Sequence, residues 1–344
     1  ISGGSARWAM IGSGKDITTF KYAGGGSTFF EGGSGASYGY ILQGFTVNCR
    51  YAALTTGNQG IAIGNTSNCV VQNVKVTDYK ETGILLYTAT PNTYSNNKVE
   101  DCDTDGLGVG KAGIIIANMN NSGIRRCTAK GVVISPGMGV ELKNECHNGW
   151  IQDCYVEDCF VGIGLGNDGT TAICVRTSLI SNCITYACDY GISLGEAKYN
   201  MFDGIVIHQN GVAGGPIDLQ SNSVGNVFNG LVIYDPNAAN SCVHCRSGCN
   251  DNIFNIDHLY TTALSSGTAA YWDAGVLRNT VKIGRLTGST PLYYNTWAQD
   301  TSGNATNSVT YDGMNFTFER DIAAGVIAVY DPKTRFVAIS TEGG

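Results

Sequence analysis

Proline is scarce in this 344-residue chain, with 6 copies, and charge is thin: 14% of residues are charged and the net charge is -7. Neither lysine nor arginine gathers into a cluster that could follow a phosphate backbone, so nucleic acid is not an expected partner. No apolar run approaches the roughly 18 residues that a membrane-spanning helix needs, and no membrane insertion is expected. The opening ISGGSARWAM has no basic n-region and no long apolar h-region. Either a leader has been removed or the chain is a piece of something longer. No stretch combines a helical period with helix caps. What remains is 43% hydrophobic residues and 47 glycines, a globular balance.

Cysteine is plentiful but odd in number, at 13. A secreted chain would leave one thiol unpaired, and a chain of this length needs no disulfide staples. Free, buried thiols in a protein folded in a reducing cytoplasm are the simpler expectation.

A Gly-led motif recurs: GIAIG from 60, GILLY from 83, GIIIA from 113, GVELK from 139, GIGLG from 162, GISLG from 191 and GPIDL from 215. Each copy is followed by a turn residue and a second apolar alternation, such as VQNVKV, IQDCYV or FDGIVI. Period-2 alternation at these lengths is strand. A repeat of about 25 residues built from short strands and polar turns predicts a parallel β-solenoid, one coil per repeat. The chain lacks the LxxLxLxxN of leucine-rich repeats and the tight hairpin signals of a propeller.

Strand residues alternate faces, so each copy assigns its own interior. One inward column runs Ile61, Ile84, Ile114, Val140, Ile163, Ile192, Ile217; a second runs Ile63, Leu86, Ile116, Leu142, Leu165, Leu194, Leu219. A turn column follows: Asn65, Thr88, Asn118, Asn144, Asn167, Glu196, Ser221, where stacked Asn side chains can bond coil to coil. Cys127, Cys154 and Cys183 align with Val74, Ile205 and Leu231 as inward residues of the second strand, acting as small apolar side chains. Cys242, Cys245 and Cys249 around His244 have tolerable zinc spacing. Yet the alignment of SCVHCRS with GPIDLQS points Cys245 inward and His244 outward. Packing is therefore expected there, with no metal and no cofactor.

At this point IGSGKDITTFKYAGGGSTFFEGG, followed by YGYILQGFTVNC, resembles the opening coils of right-handed β-helix proteins of the pectate-lyase-like superfamily. It is especially similar to the receptor-binding tailspikes of bacteriophages. The resemblance covers roughly residues 5 to 290, and its motifs are specific for a fold, not for a reaction. It implies an all-β, right-handed, single-stranded parallel β-helix with three parallel sheets, a carbohydrate groove on its outer surface and commonly a homotrimer. It also implies a virion tail protein, extracellular in action but folded in the bacterial cytoplasm. CDTDG at 102–106 is similar to the NTDG of polygalacturonases, but their DD pair and GHG are missing. The calcium carboxylates and arginine motif of pectate lyases are not recognisable either. No catalytic residue carries over by motif.

About 9–11 coils are expected over residues 1–298, with 299–344 as C-terminal strands forming a cap or a trimer clasp. A solenoid's open end needs such a cover.

Chemistry is expected on the outer face of the Gly-led strand, whose residues run Ala62, Leu85, Ile115, Glu141, Gly164, Ser193, Asp218, His244, with Tyr271 continuing. The neighbouring outward column runs Lys143, Gly166, Gly195, Gln220, Arg246. The face turns from apolar to polar, and its glycines predict a shallow trough for sugar. Coils stack at about 4.8 Å, so Glu141 and Asp218, three coils apart, stand roughly 14 Å from one another. Glycosidase pairs sit about 5 Å apart for retention or about 6.5–9.5 Å for inversion. Asp168 and Glu196, on adjacent coils at the corner, fall in range and lead as the catalytic pair. Asp218 with His244 is the second arrangement, and Glu141 the fourth candidate acid. Lys143, Ser193, Gln220, His244, Arg246 and Tyr271 are the expected substrate-binding residues. Asp101, Asp103 and Asp105 form an acidic loop, and His208 lies outward. Tyr234 and Tyr260 share its column and are candidates for a subunit interface.

The expected activity is endo-glycoside hydrolysis of a bacterial surface polysaccharide, by one protonated carboxyl and one that activates water. A lyase acting on a uronic-acid glycan, with Lys143, Arg246 and His244, is an alternative. A non-catalytic glycan-binding adhesin is another.

Overall fold

The computed structural model describes residues 2–3, 8–21, 28–32, 37–50, 59–135, 137–166, 174–208, 214–235, 241–261, 270–273, 275–288, 298–300, 307–311, 314–317, 326–331 and 336–341. Among them there is no helix. The Gly-led copies become the strands Gln59–Gly64, Thr82–Tyr87, Ala112–Ala117, Met138–Lys143, Val161–Gly166, Tyr190–Gly195 and Ile217–Gln220. They stack in order within one twelve-stranded parallel sheet. Their register matches the sequence columns residue for residue: Ile61 pairs with Ile84, Ile84 with Ile114, Leu165 with Leu194, and Ser193 with Asp218. The sheet continues through Val243–Cys245 and Ala270–Trp272 to Ala298–Asp300. It starts at a two-residue strand, Ser2–Gly3.

A second parallel sheet bends along its length. In the middle coils its strand breaks in two, as in Trp150–Gln152 with Tyr155–Cys159 and Leu179–Ser181 with Ile184–Tyr186. The break falls on a left-handed residue in each coil: Asp101, Arg126, Asp153, Asn182 and Gly204, with φ from 50° to 61°. Two panels result, so each middle coil has three strand faces, the form taken here by the three expected sheets. Single bridges such as Arg176–Lys198 and Lys198–Val224 close the remaining corner. The last described strands, Val326–Asp331 and Phe336–Thr341, pair antiparallel.

Both inward columns are fully buried. The bend carries its own inner stack: Val74 gives way to Cys102, Cys127, Cys154 and Cys183, then to Ile205 and Leu231. All 13 cysteines are buried and free. Burial pushes the Cys49 and Cys146 thiols up to about 12 and Cys249 to about 11, so these three are not poised as thiolates. Cys245 is buried inside while the neighbouring His244 is part-exposed on the outer column, as the alignment required.

Two asparagine ladders exist where the sequence announced one. At the expected corner, Thr88 Oγ1 donates to Asn65 Oδ1 at 2.9 Å and Asn118 Nδ2 donates to the Thr88 carbonyl at 2.8 Å. Asn65, Asn118 and Asn144 hold φ between 49° and 60°, a conformation Asn tolerates better than most residues. The longer ladder lies inside. Asn200, Asn226, Asn252, Asn279 and Asn307 are buried, and each passes its Nδ2 to the Oδ1 of the next at 2.9–3.3 Å. The same Oδ1 also accepts the previous residue's backbone N–H, as from Asn226 to Asn252 at 3.0 Å. A buried amide group left without its partner costs about 1–3 kcal/mol, so the ladder holds register as well as energy. Beside it, Phe202, Phe228 and Phe254 stack at 4.2 and 4.7 Å between ring centroids.

Candidate functional site

The outer column of the first sheet is built as the spacing predicts: Glu141, Gly164, Ser193, Asp218, His244 and Tyr271 are successive register partners. Extending the neighbouring column one coil beyond Arg246 gives Asp273, because Cys245 pairs with Trp272. That residue completes a cluster. Arg246 donates from Nε to Asp218 Oδ1 at 2.9 Å and from Nη2 to Oδ2 at 3.1 Å, a two-pronged pair. Gln220 Nε2 donates to Asp218 Oδ2 at 2.8 Å and reaches Ser193 Oγ at 3.4 Å. His244 lies between two carboxylates, with Nδ1 3.5 Å from Asp218 Oδ1 and Nε2 3.2 Å from Asp273 Oδ1. The Tyr271 ring meets the imidazole edge-on at 5.0 Å.

Exposure sorts these residues by task. Asp218 is 1% exposed, and its oxygens are committed to Arg246 and Gln220, so it fixes its neighbours in place. Arg246, at 43%, and Gln220 remain accessible and can meet sugar hydroxyls. The bond to Asp218 makes the Arg246 guanidinium hold its proton more firmly. With a carboxylate oxygen facing each ring nitrogen, the orientation of the imidazole is fixed from both sides.

The other expected residues are placed differently. Glu141 is buried on its column, at 4% exposure. The trough expected at Gly164 is filled: a side chain there would collide with the Met138 thioether and crowd Glu141 Cγ, so the long Met138 side chain replaces the open space. At Gly166 a side chain would meet the Gly195 backbone at 3.6 Å, an ordinary packing distance, without a collision. Lys143 pairs with Gly166 on that column. Glu196 is buried at the corner with φ 56°, its N–H donating to the Ser221 carbonyl at 3.0 Å. Its expected partner Asp168, with Asn167, lies outside the described residues.

A concave site lies where the second sheet's far panel leads into the first sheet. This cleft of about 480 Å³ is lined by Asp105, Lys130, Asp158, Phe160 and Asp189, with the 59%-exposed Leu107 at its mouth. Burial raises the Asp189 carboxyl above the usual carboxylate range, so it keeps its proton to higher pH. Tyr186 pairs beside Glu157, and Asp189 N–H donates to the Cys159 carbonyl at 3.1 Å. Asp158 and Asp189 are thus one coil and about two residues apart, roughly 8 Å in backbone terms. Lys130 pairs with Asp105 at 3.5 Å on the cleft floor. Phe160 packs edge-on against Tyr190 at 5.5 Å, and Tyr190 lies within electrostatic reach of Arg246. Cleft and cluster are therefore joined across one aromatic pair. Neither Asp158, at the end of the strand Tyr155–Cys159, nor Asp189, just before the strand Tyr190–Gly195, lies on one of the columns aligned in the sequence.

The described residues contain no group of three or more His, Cys, Asp and Glu side chains arranged to hold a metal ion, and no helix long and apolar enough to cross a membrane.

Residues 37–175 match a family described as the right handed beta helix region, and the solenoid is a right-handed parallel β-helix. Solved structures repeat the fold. The A-module of the mannuronan C-5 epimerase AlgE6 of Azotobacter vinelandii superposes with a TM-score of 0.70 at 12% identity, over 88% of this chain and 83% of that one. Gene product 12 of bacteriophage phi29, in its pre-mature form, gives a TM-score of 0.61 at 12% identity, over 90% of this chain and 51% of that one. ORF18 of Geobacillus virus E2 gives 0.57 at 12% identity, over 83% and 58%. Carbohydrate-active enzymes and phage proteins thus share this architecture, and at such identities the likeness is one of fold. No curated protein sequence matches the chain.

Proposed function

We propose that this β-helix is a virion-borne depolymerase that binds a bacterial surface polysaccharide and cuts it by glycoside hydrolysis in the cleft. The observation that carries the reading is the cleft that holds Asp189, a carboxyl whose hold on its proton burial strengthens, together with the exposed Asp158 about one coil away. Their backbones stand roughly 8 Å apart, and the reading requires their carboxyl groups to reach about 6.5–9.5 Å from one another, the separation that leaves room for a water in inversion. Asp189 donates its proton to the glycosidic oxygen as the bond to the anomeric carbon breaks. Asp158 takes a proton from the water that attacks that carbon from the opposite face. The glycan continues past Phe160 and Tyr190 onto the outer face of the first sheet, where Gln220, Arg246, His244 and Tyr271 hold it.

The placing of His244 between Asp218 and Asp273 favours a second reading, elimination on a uronic-acid glycan with the imidazole as base. It needs a cation to neutralise the uronate, and Arg246 is already engaged by Asp218.

The test is product analysis on surface polysaccharides of candidate hosts. New reducing ends without ultraviolet absorbance, lost in Asp189→Asn, support the proposal. Unsaturated, absorbing ends that vanish in His244→Ala establish the second reading. Binding without any shortening makes the protein an adhesin and rejects both.

A further inference from the structure

We infer that the glycan held between cleft and cluster carries no carboxylate, phosphate or sulfate group, an inference that rests on the cleft proposed above. Lysine and arginine along that path stand beside carboxylates of the chain itself. In the cleft, three carboxyls, Asp105, Asp158 and Asp189, share the space with one ammonium, Lys130, which pairs with Asp105 at 3.5 Å. In the cluster, Asp218 and Asp273 stand against Arg246, whose Nε and Nη2 both donate to Asp218. Between them, Lys143 lies two residues from Glu141 on the same side of one strand.

Arg246 is not at liberty to turn to an anion on the substrate. Its partner Asp218 is buried, and a buried carboxylate stripped of its cation is strongly destabilising. The N–H groups that Arg246 still has to offer, with the Gln220 amide, suit neutral hydroxyls, and Phe160, Tyr190 and Tyr271 offer ring surface for sugar C–H groups. An acidic glycan would instead meet surplus carboxylates, from Asp158 to Asp273, four coils or about 19 Å along the axis. Two like charges about 7 Å apart weaken binding about threefold even at the dielectric constant of water. Several such encounters along a repeating acidic chain multiply.

The acidity of the chain as a whole is not the cause, because cations without carboxylate partners occur off the path. Past the far ends of the first sheet's strands, round the corner, His147, Arg176 and Lys198 are successive register partners. Among the described residues Arg176 and Lys198 form no ion pair, and Arg176 Nε is turned to the Cys174 sulfur at 2.6 Å. Free positive charge is thus kept away from the surface that the glycan would follow.

The test offers surface polysaccharides of candidate hosts, some neutral and some rich in uronate or phosphate, to the parent for cleavage. The same set is offered to Asp189→Asn for binding by affinity electrophoresis. A neutral polysaccharide should be retained and shortened, and every acidic one held about 30-fold or more weakly than it. For the polysaccharide that binds, the dissociation constant should change by less than about twofold between about 20 and about 500 mM sodium chloride. Cleavage of an acidic polysaccharide overturns the inference and leaves the hydrolase reading standing. Equal retention of both kinds, or binding that falls about tenfold or more over that salt range, also overturns it. A neutral polysaccharide held but not shortened supports the inference and rejects hydrolysis. Retention of none overturns both.

Discussion

The first sheet and the second present opposite surfaces on the same coils. Where the first sheet presents His244, Arg246 and Asp273, held through the buried Asp218 by ion pairs and hydrogen bonds, the second exposes Leu179, Met201, Ile184 and Tyr186. Inside, the two sheets are alike in being lined by buried apolar columns. A solenoid separates these duties cheaply because strand residues alternate faces: the interior columns fix the frame, and the exterior columns vary without disturbing it. The difference teaches that exterior composition, read panel by panel, is where partner chemistry is written.

The sharpest way to break this division is at the cleft. Asp189→Asn should lower the cleavage rate by at least about 100-fold, the usual worth of a general acid, with no loss of thermal stability; a rate held within threefold would remove the cleft from catalysis. Next in size is a change that strikes both faces alike. Asn226→Leu strips the acceptor from the Asn200 amide and its own donor from the Ala197 carbonyl. It should cost about 2 kcal/mol or more by chemical denaturation.

A smaller effect sharpens the first sheet's role. His244→Ala should weaken glycan binding by about tenfold, the loss of one polar contact with sugar, while leaving the turnover rate of the hydrolase nearly unchanged. A turnover that falls instead moves the chemistry from the cleft to the cluster.

The smallest effect is one of pH. Because burial raises the folded-state carboxyl of Asp189 above its unfolded value, the folded state binds that proton more tightly. Its contribution is present below the unfolded value and is lost as pH rises through the folded one. Asp189→Asn should therefore melt slightly higher than the parent at pH 7 and no higher at pH 3. An equal difference at both values would deny the shift.

Much of this was legible beforehand, for identifiable reasons. The Gly-led copies share a length and an alternation, so Ile61 to Ile217 and Glu141 to His244 could be aligned letter by letter, and their spatial neighbours follow from the alignment alone. The inner ladder of Asn200, Asn226, Asn252 and Asn279 escaped because a lone Asn before an apolar alternation reads as a turn. The recurring pairs NMF, NVF, NIF and NTV were its signal. Asp273 was missed by stopping the Arg246 column one coil early, where AYW lacks the leading glycine. The filling of Gly164 by Met138 could not be read from columns, since a long unbranched side chain leans across rows. Asp158 and Asp189 come together only through the path of an irregular corner.

The inner asparagines have one more consequence. Every amide hands its hydrogens onward in the same sense, and every rung ends as the next begins, so the rungs are interchangeable parts. Whole turns can be deleted, duplicated or exchanged between relatives without reworking the joints, whereas the loss of a single letter within a turn throws the stack out of phase. Such a scaffold lets a lineage rewrite its outer wall while keeping the spine it inherited.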